Sequence, residues 1–416
     1  MRIDDMILVS IDDHVVEPPD VFDHHLPARW RDVAPRVVHK ESGADVWVFN
    51  GAEVPNLAIN AVSGLFPEEY GLEPTAYTQI REGTYDIHAR VADMDANGVL
   101  GSLNFPSFPG FSGRLFMTLG DKDAALALVR AYNDWHIDEW CGTHPGRMIP
   151  CVIAPLWDPE EMAAEIRRTA AKGAHAVTFS ENPAKLGLPS LHSDHWDPFW
   201  AACLDVGTNV CMHIGSSSQL AITSPDAPVD VMIVLQGMNI VQCAADLLFS
   251  RIWKAFPGLQ FSLTEGGIGW VPYFYERADD TWRVHHAWTG ADFGGRMPSE
   301  VFRDHAVLCF IKDPHGLRAA REIGVDRICW ETDYPHSDST WPHAPERLAR
   351  ELAGTDLTDG EIEQITHRNA MRHYRYDPFR HVPRSRPPSR RCAPGRQVST
   401  RPCAPPGVRS RSGPGR

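Results

Sequence analysis

The sequence predicts an α/β fold, a (β/α)8 TIM barrel, and three observations predict it. Short apolar, β-branched runs alternate with amphipathic stretches from about residue 85 to residue 374, and together with the run at 7–11 they supply eight strands. Carboxylates and imidazoles follow four of these runs, so similar chemistry gathers at one end of the fold. A doubly wound sheet would show the same alternation, but eight strand and helix units in one chain of 416 residues favour the barrel.

The first run, I-L-V-S-I at 7–11, is short enough to be a strand buried on both faces, and it leads straight into Asp12, Asp13 and His14. In extended chain Asp12 and His14 project to one side and Asp13 to the other. A carboxylate beside an imidazole at a strand end is half of a divalent-metal site, although a strand followed by a solvated turn reads the same way. Residues 19–84 are rich in Pro, Gly, Trp and Asn, with one alternating patch at 44–49 that suggests a short hairpin. This stretch is too irregular for a barrel repeat and is expected to be an insertion lying over one end of the fold as a lid.

From residue 85 the pattern becomes regular. A helix over 87–97 stops at Gly98 before a strand at 99–105, and a long helix over 121–142 precedes a strand at 148–156. Asp158 caps a helix over 159–171, with Glu160 and Glu161 in its first turn and Arg167 and Arg168 nearer its end, as the helix dipole favours. A strand at 174–179 follows. Helices over 197–204, 229–256, 271–288 and 317–323 then alternate with strands at 209–214, 259–264, 307–311 and 327–330. Helices over 345–353 and 359–374 close the domain, which spans 1–380. Residues 381–416 hold nine Arg, eight Pro and almost no apolar side chain, and they are expected to be a disordered tail.

Composition narrows the function. Residues 1–380 carry 31 basic against 54 acidic groups, which argues against nucleic acid as a partner. The nine cysteines form no C-x-x-C and mostly sit in apolar runs, as reduced core thiols do, so a cytoplasmic protein is expected. No basic segment precedes an apolar one at the start, and no apolar run is expected to reach membrane-span length.

The groups that follow the strands carry the chemistry. Strand one gives Asp12 and His14, strand five His213, strand six Glu265, and strand eight Asp333 and His336. Asp12, His14, His213 and Asp333 would hold one divalent ion with near-neutral total charge, a set that suits Zn²⁺ first and Mn²⁺ next. Strand four ends V-T-F-S-E-N without a lysine to bridge two metals, leaving only Glu181 for that role, so one ion is expected. Glu265, followed by two glycines, is the candidate proton shuttle; it could equally be a carboxylate serving the dipole of the next helix. His336 could orient Asp333 or touch substrate, or be an exposed loop histidine. Ser216–Ser218 are expected to bind a substrate carboxylate. The remaining histidines lack ligand spacing, and H-E-x-x-H, P-loop, dinucleotide-binding and G-x-S-x-G patterns are absent.

The motifs D-D-H-V-V-E-P, M-H-I-G, T-E-G-G-I-G-W-V-P-Y, W-E-T-D-Y-P-H-S-D and I-T-H-R-N-A-M-R-H-Y together resemble the amidohydrolase-related proteins. The resemblance covers roughly residues 5–376 and is strongest to the branch of aminocarboxymuconate-semialdehyde decarboxylase and the resorcylate-type decarboxylases. It implies metal ligation by Asp12, His14, His213 and Asp333. Asp12 stands where that family usually has a histidine, which makes the site more anionic and shifts metal preference toward Mn²⁺ or Mg²⁺. Glu265 stands where its decarboxylases usually carry a histidine. The expected function is non-oxidative decarboxylation of a small carboxylated aromatic or dienoic substrate by a homodimer, with Glu265, Asp333 and His336 as catalytic groups. Hydrolysis of an amide, ester or lactone is the alternative, and an inactive ligand-binding barrel is a third reading.

Overall fold

The computed structural model describes residues 1–383 apart from 55, 56, 59, 72, 73 and 220. The tail, and the disorder expected of it, lies outside the described residues beyond position 383. The strands are β1 (Leu8–Val15), β2 (Arg36–His39), β3 (Asp45–Phe49), β4 (Ala52–Val54), β5 (Val99–Pro106), β6 (Met148–Ile149), β7 (Cys151–Val152), β8 (Ala176–Ser180), β9 (Asn209–His213), β10 (Phe261–Thr264), β11 (Ala306–Phe310) and β12 (Ile328–Trp330).

Two sheets are parallel throughout, in the orders β1-β5-β6 and β12-β11-β10-β9-β8-β7. β6 and β7 are the expected strand 148–156 split at Pro150, which has no N–H to give a neighbour. At the other edge, Asp333 N–H donates to the Asp12 carbonyl at 2.9 Å and His14 N–H to the Tyr334 carbonyl at 2.8 Å, so β1 also bonds to the chain just past β12.

Helices fill the connections, as parallel strands require. They are α1 (Ile87–Ala96), α2 (Lys122–Asp134), α3 (Pro159–Ala171), α4 (Asp197–Val206), α5 (Val229–Leu248), α6 (Ile252–Ala255), α7 (Val271–Thr289), α8 (Pro298–His305), α9 (Pro314–Arg318), α10 (Ala320–Ile323), α11 (Ala344–Leu352), α12 (Asp359–Glu363) and α13 (Asn369–His373). Aspartates start several of them: Asp86, Asp121 and Asp158 each accept N–H groups of the first turn that have no helical partner. The expected helix 229–256 divides into α5 and α6, and α8 was not anticipated because only its Val301 and Phe302 interrupt a polar run.

One expectation fails on α5. This helix has 20 residues, and its most apolar 18-residue window has a mean hydropathy of 1.6, so by length and composition it could cross a membrane. In the fold it is the crossover between the adjacent parallel strands β9 and β10, and its second half is core: Ile240, Cys243, Ala244, Leu247 and Leu248 are buried. Its first half leaves Ile233, Val234 and Met238 exposed.

Inside the row of strands, Val9, Ile11, Leu103, Phe105, Ile149, Cys151, Ala176, Cys211, Val307, Cys309 and Cys329 form a cluster of their own. Ala370 and Tyr374 from the closing segment join it at the end where the strands begin, and the Tyr374 hydroxyl bonds Ser262 Oγ at 2.6 Å. Residues 36–54 hold more order than the expected hairpin, since β2, β3 and β4 make an antiparallel sheet. Trp47 of β3 stacks on Phe108 with centroids 4.3 Å apart, anchoring this sheet over the loop after β5. Farther along, Val62 and Ser63 donate N–H groups to the Pro335 carbonyl at 3.0 and 2.9 Å, which brings the insertion onto the loop after β12.

Candidate metal centre

β1 does not stop at residue 11. Its pairing with β5 continues through Asp13↔Asn104, His14↔Phe105 and Val15↔Pro106, so the expected turn is strand, and Asp12 and His14 are fully buried within it. A register irregularity between Ser10 and Asp13 re-aims the chain there. At the ends of β9, β10 and β12 the structure places His213, Glu265 and Asp333, and all of them meet Asp12 and His14.

The distances define one cluster. His14 Nε2 lies 3.6 Å from Asp12 Oδ1 and 3.4 Å from Asp333 Oδ1. His213 Nε2 lies 3.2 Å from His14 Nε2, 3.4 Å from Asp12 Oδ2 and 3.0 Å from Glu265 Oε2. His336 Nδ1 contacts Asp333 Oδ1 at 2.8 Å, and its ring lies 4.0 Å from that of His14. All six side chains singled out in the sequence are therefore brought together. His336 is buried, not an exposed loop histidine, and Glu265 reaches into the ligand cluster beside His213.

Local structure prepares these groups. His213 Nδ1 donates to the Ile214 carbonyl at 2.6 Å, which fixes its proton on Nδ1 and turns the Nε2 lone pair into the cluster. Glu265 and Asp333 have φ of 61° and 55°, in the left-handed region that side-chain-bearing residues rarely occupy. Each costs of order 1 kcal/mol, the kind of strain found where geometry serves a site. Phe111 packs on both imidazoles, 4.9 Å from His14 and 4.5 Å from His213, and Phe105 lies 4.7 Å from His213.

The electrostatics call for a cation. No backbone N–H bonds the carboxylate oxygens of Asp12 or Asp333, which face the imidazoles of His14, His213 and His336 instead, and His14 Nδ1 has no hydrogen-bond partner among the described residues. Burial pushes the Asp12 carboxyl up to about 6 against the pull of His213, and burial with neighbouring carboxylates pushes Asp333 well up. Burial and the adjacent His336 and His213 hold His14 well below its usual range. His213 moves the other way, because Asp12 and Glu265 overcome its burial. Two imidazole nitrogens facing each other among buried carboxylates that no backbone N–H bonds form an arrangement that a divalent ion satisfies, and the donor set fits one.

Sequence reasoning missed Glu331. It is fully buried, and with Asp12 and Cys309 it forms a second group of ligand atoms beneath the first. Its signal was present: it is a carboxylate that directly follows the apolar run of β12, at the strand end where the other ligands stand. Arg90 was also missed; it is buried and donates to the His14 and Gly83 carbonyls. The assignment of Ser216–Ser218 to substrate needs correction. The hydroxyls of Ser216 and Ser217 and the Ser217 N–H all donate to Glu181, so two of these serines tie β8 to the loop after β9. The same bonds occupy Glu181, leaving it no bridging role.

The sequence matches the family model described as Amidohydrolase over residues 66–376. No curated protein sequence matches the chain. Among solved structures, an amidohydrolase from Mycobacterium avium subsp. paratuberculosis K-10 superimposes with a TM-score of 0.68 at 22% identity, covering 88% of this chain and 98% of that one. The 5-carboxyvanillate decarboxylase LigW from Sphingomonas paucimobilis gives 0.62 at 19% identity, covering 89% and 99%. A 5-carboxyvanillate decarboxylase from Novosphingobium aromaticivorans, complexed with manganese and 4-hydroxy-3-methoxy-5-nitrobenzoic acid, gives 0.60 at 20% identity, covering 89% and 97%.

Proposed function

The chain belongs to the amidohydrolase family, and from that premise we propose that it is a metal-dependent carboxy-lyase acting on a small carboxylated aromatic or dienoic acid. The observation that carries the reading is the buried cluster of Asp12, His14, His213 and Asp333, whose carboxylates are bonded by no backbone N–H and face imidazoles. We also read the row of parallel strands as a closed (β/α)8 barrel, supported by the bonds between β1 and the chain after β12.

Asp12, His14, His213 and Asp333 would hold one divalent ion. Zinc was the first expectation, but Glu265 adds a third carboxylate, which favours manganese, the ion held by one similar decarboxylase. Such an ion, when bound, supplies Lewis acidity toward the substrate's carboxylate and a neighbouring oxygen. Phe105 and Phe111 give an aromatic ring a flat apolar neighbour beside the imidazoles. Glu265 carries the proton that must replace carbon dioxide on the substrate carbon. Its side chain is 7% exposed while those of Asp12 and Asp333 are at 0%, so among these carboxylates it is the one able to exchange protons with solvent. His336 steadies Asp333 from the side of the loop that the insertion covers, which is the lid role assigned to residues 19–84.

Seven buried free cysteines support a reducing, cytoplasmic home. The exposed apolar start of α5 supports a homodimer.

The test is to load the protein with Mn²⁺ or Zn²⁺ and offer carboxylated phenols, dienoic acids, lactones and amides. Release of carbon dioxide from an acid, lost in Glu265→Gln with metal retained, is the expected result. Hydrolysis of a lactone or amide without carbon dioxide release overturns the lyase reading. Failure to take up stoichiometric metal overturns the catalytic one.

A further inference from the structure

At the opposite pole, where the strands begin, a cavity of about 440 Å³ opens between the starts of β9, β10 and β12 and the end of α13. Arg327, Arg372 and Arg375 line it, and no aspartate or glutamate does. In a body where acids outnumber bases 54 to 31, this is a local reversal of charge. The size falls within the range of small-molecule sites, roughly 300–1,000 Å³.

The lining is built for an acceptor. Asn209, a lining residue, accepts at Oδ1 from Ser262 Oγ at 3.0 Å, and its amide nitrogen is buried and has no partner. Thr208 Oγ1 beside it is likewise buried without a partner. Thr208 and Asn209 are only 3% and 1% exposed, so these are unmet groups inside the protein and not surface side chains. Burying such a group is costly unless something pairs with it.

The arginines divide in their commitments. Arg327 donates to Gln260 Oε1 at 2.9 Å and pairs with Asp326 at 3.2 Å, and Arg372 donates to Asn369 Oδ1 at 3.2 Å. Arg375 forms no side-chain hydrogen bond or ion pair among the described residues. Its guanidinium lies where a side chain at position 207 would stand, since a Cβ on Gly207 would collide with it. Its own backbone has φ of 50°, so the chain accepts strain at the residue that aims this free guanidinium at the cavity.

We propose that this cavity binds a small phosphorylated molecule, its phosphoryl group held by Arg375 with the Asn209 amide and the Thr208 hydroxyl. A guanidinium with two neutral donors matches an anion bearing several acceptor oxygens, and the space beyond a single phosphate leaves room for an organic remainder. The site is independent of the metal cluster, which lies at the other ends of the same strands.

Isothermal titration calorimetry on the full chain in 150 mM salt, with inorganic phosphate and glycerol 2-phosphate as probes and tricarballylate as a carboxylate control, tests this. Saturable one-site binding is expected, at least tenfold weaker in Arg375→Asn, a change that suits the backbone and should not impair folding. Binding should persist in Asp333→Asn, which disables the metal cluster, and in Arg251→Ala, which removes a surface arginine paired elsewhere. The proposal is overturned by absence of saturable phosphate binding, by undiminished binding in Arg375→Asn, by loss in Asp333→Asn, or by tighter binding of tricarballylate.

Discussion

Asp12 and Asp13 are neighbours in one strand and equally buried, yet their surroundings are opposite. Asp13 accepts from Ser10 Oγ at 3.1 Å, from Tyr334 N–H at 3.0 Å and from Ser102 Oγ. Asp12 has no such set of donors and is faced by the imidazoles of His14 and His213, and Asp333 across the cluster has only those of His14 and His336 against it. Glu17 and Glu181 side with Asp13: Glu17 takes the N–H groups of Ser107 and Phe108 and the Tyr132 hydroxyl, and Glu181 takes its serines. Titration behaviour does not separate the two kinds, because burial pushes Asp12 up to about 6 and Asp13 and Glu17 up to about 7. The inventory of donors does. Where the chain supplies the counter-groups, the carboxylate braces the fold; where it withholds them, an ion must supply the charge.

The sharpest way to break this contrast is to neutralise the two neighbours separately. Asp12→Asn is expected to lower bound metal well below one ion per chain and turnover by more than about a hundredfold, since even outer-shell losses reach 10–100-fold. Asp13→Asn is expected to keep the metal and lose roughly 1–3 kcal/mol of stability from its mispaired donors. Elemental analysis and thermal unfolding read both; equal metal loss in the two variants would erase the distinction.

Much of this site was legible because its residues stand at the ends of apolar runs. Val9 and Ile11 before Asp12, Val210 and Met212 before His213, and Ile328 before Glu331 announce buried parallel strands, and charge at such an end has few structural uses. What could not be read were contacts between loops. Nothing local to Ser216 and Ser217 says that Glu181, 35 residues earlier, takes their hydroxyls. Nothing local to Val62 and Ser63 says that they bond the loop bearing His336. Pro150 could have been read as a break, since a proline inside a strand removes a donor, but the apolar run around it hid the signal.

Glu17 offers a finer test, because its effect should follow pH. Its carboxyl sits at about 7 in the fold against 4.5 for an ordinary glutamate. A raised acid contributes its stability in full below the lower value and loses it as pH climbs through the upper one. The unfolding temperature of the wild type minus that of Glu17→Gln should therefore fall between pH 4.5 and about 7 and level off above, with the two proteins holding the same amount of metal at each pH. A difference that rises with pH would mean that the three donors stabilise the charged form more than burial opposes it.

The smallest expected effect is at Ser217, and it bears most directly on which groups meet substrate. Its hydroxyl and N–H are both spent on Glu181, so Ser217→Ala removes one of three hydrogen bonds to that carboxylate and nothing that faces the metal cluster. The loss should be about 1 kcal/mol of stability. KM for an acid substrate should change less than about twofold, an effect below that of one good hydrogen bond to a bound ligand. A tenfold rise in KM with unchanged kcat would return this hydroxyl to the substrate and move Glu181 from the bracing carboxylates to the functional ones.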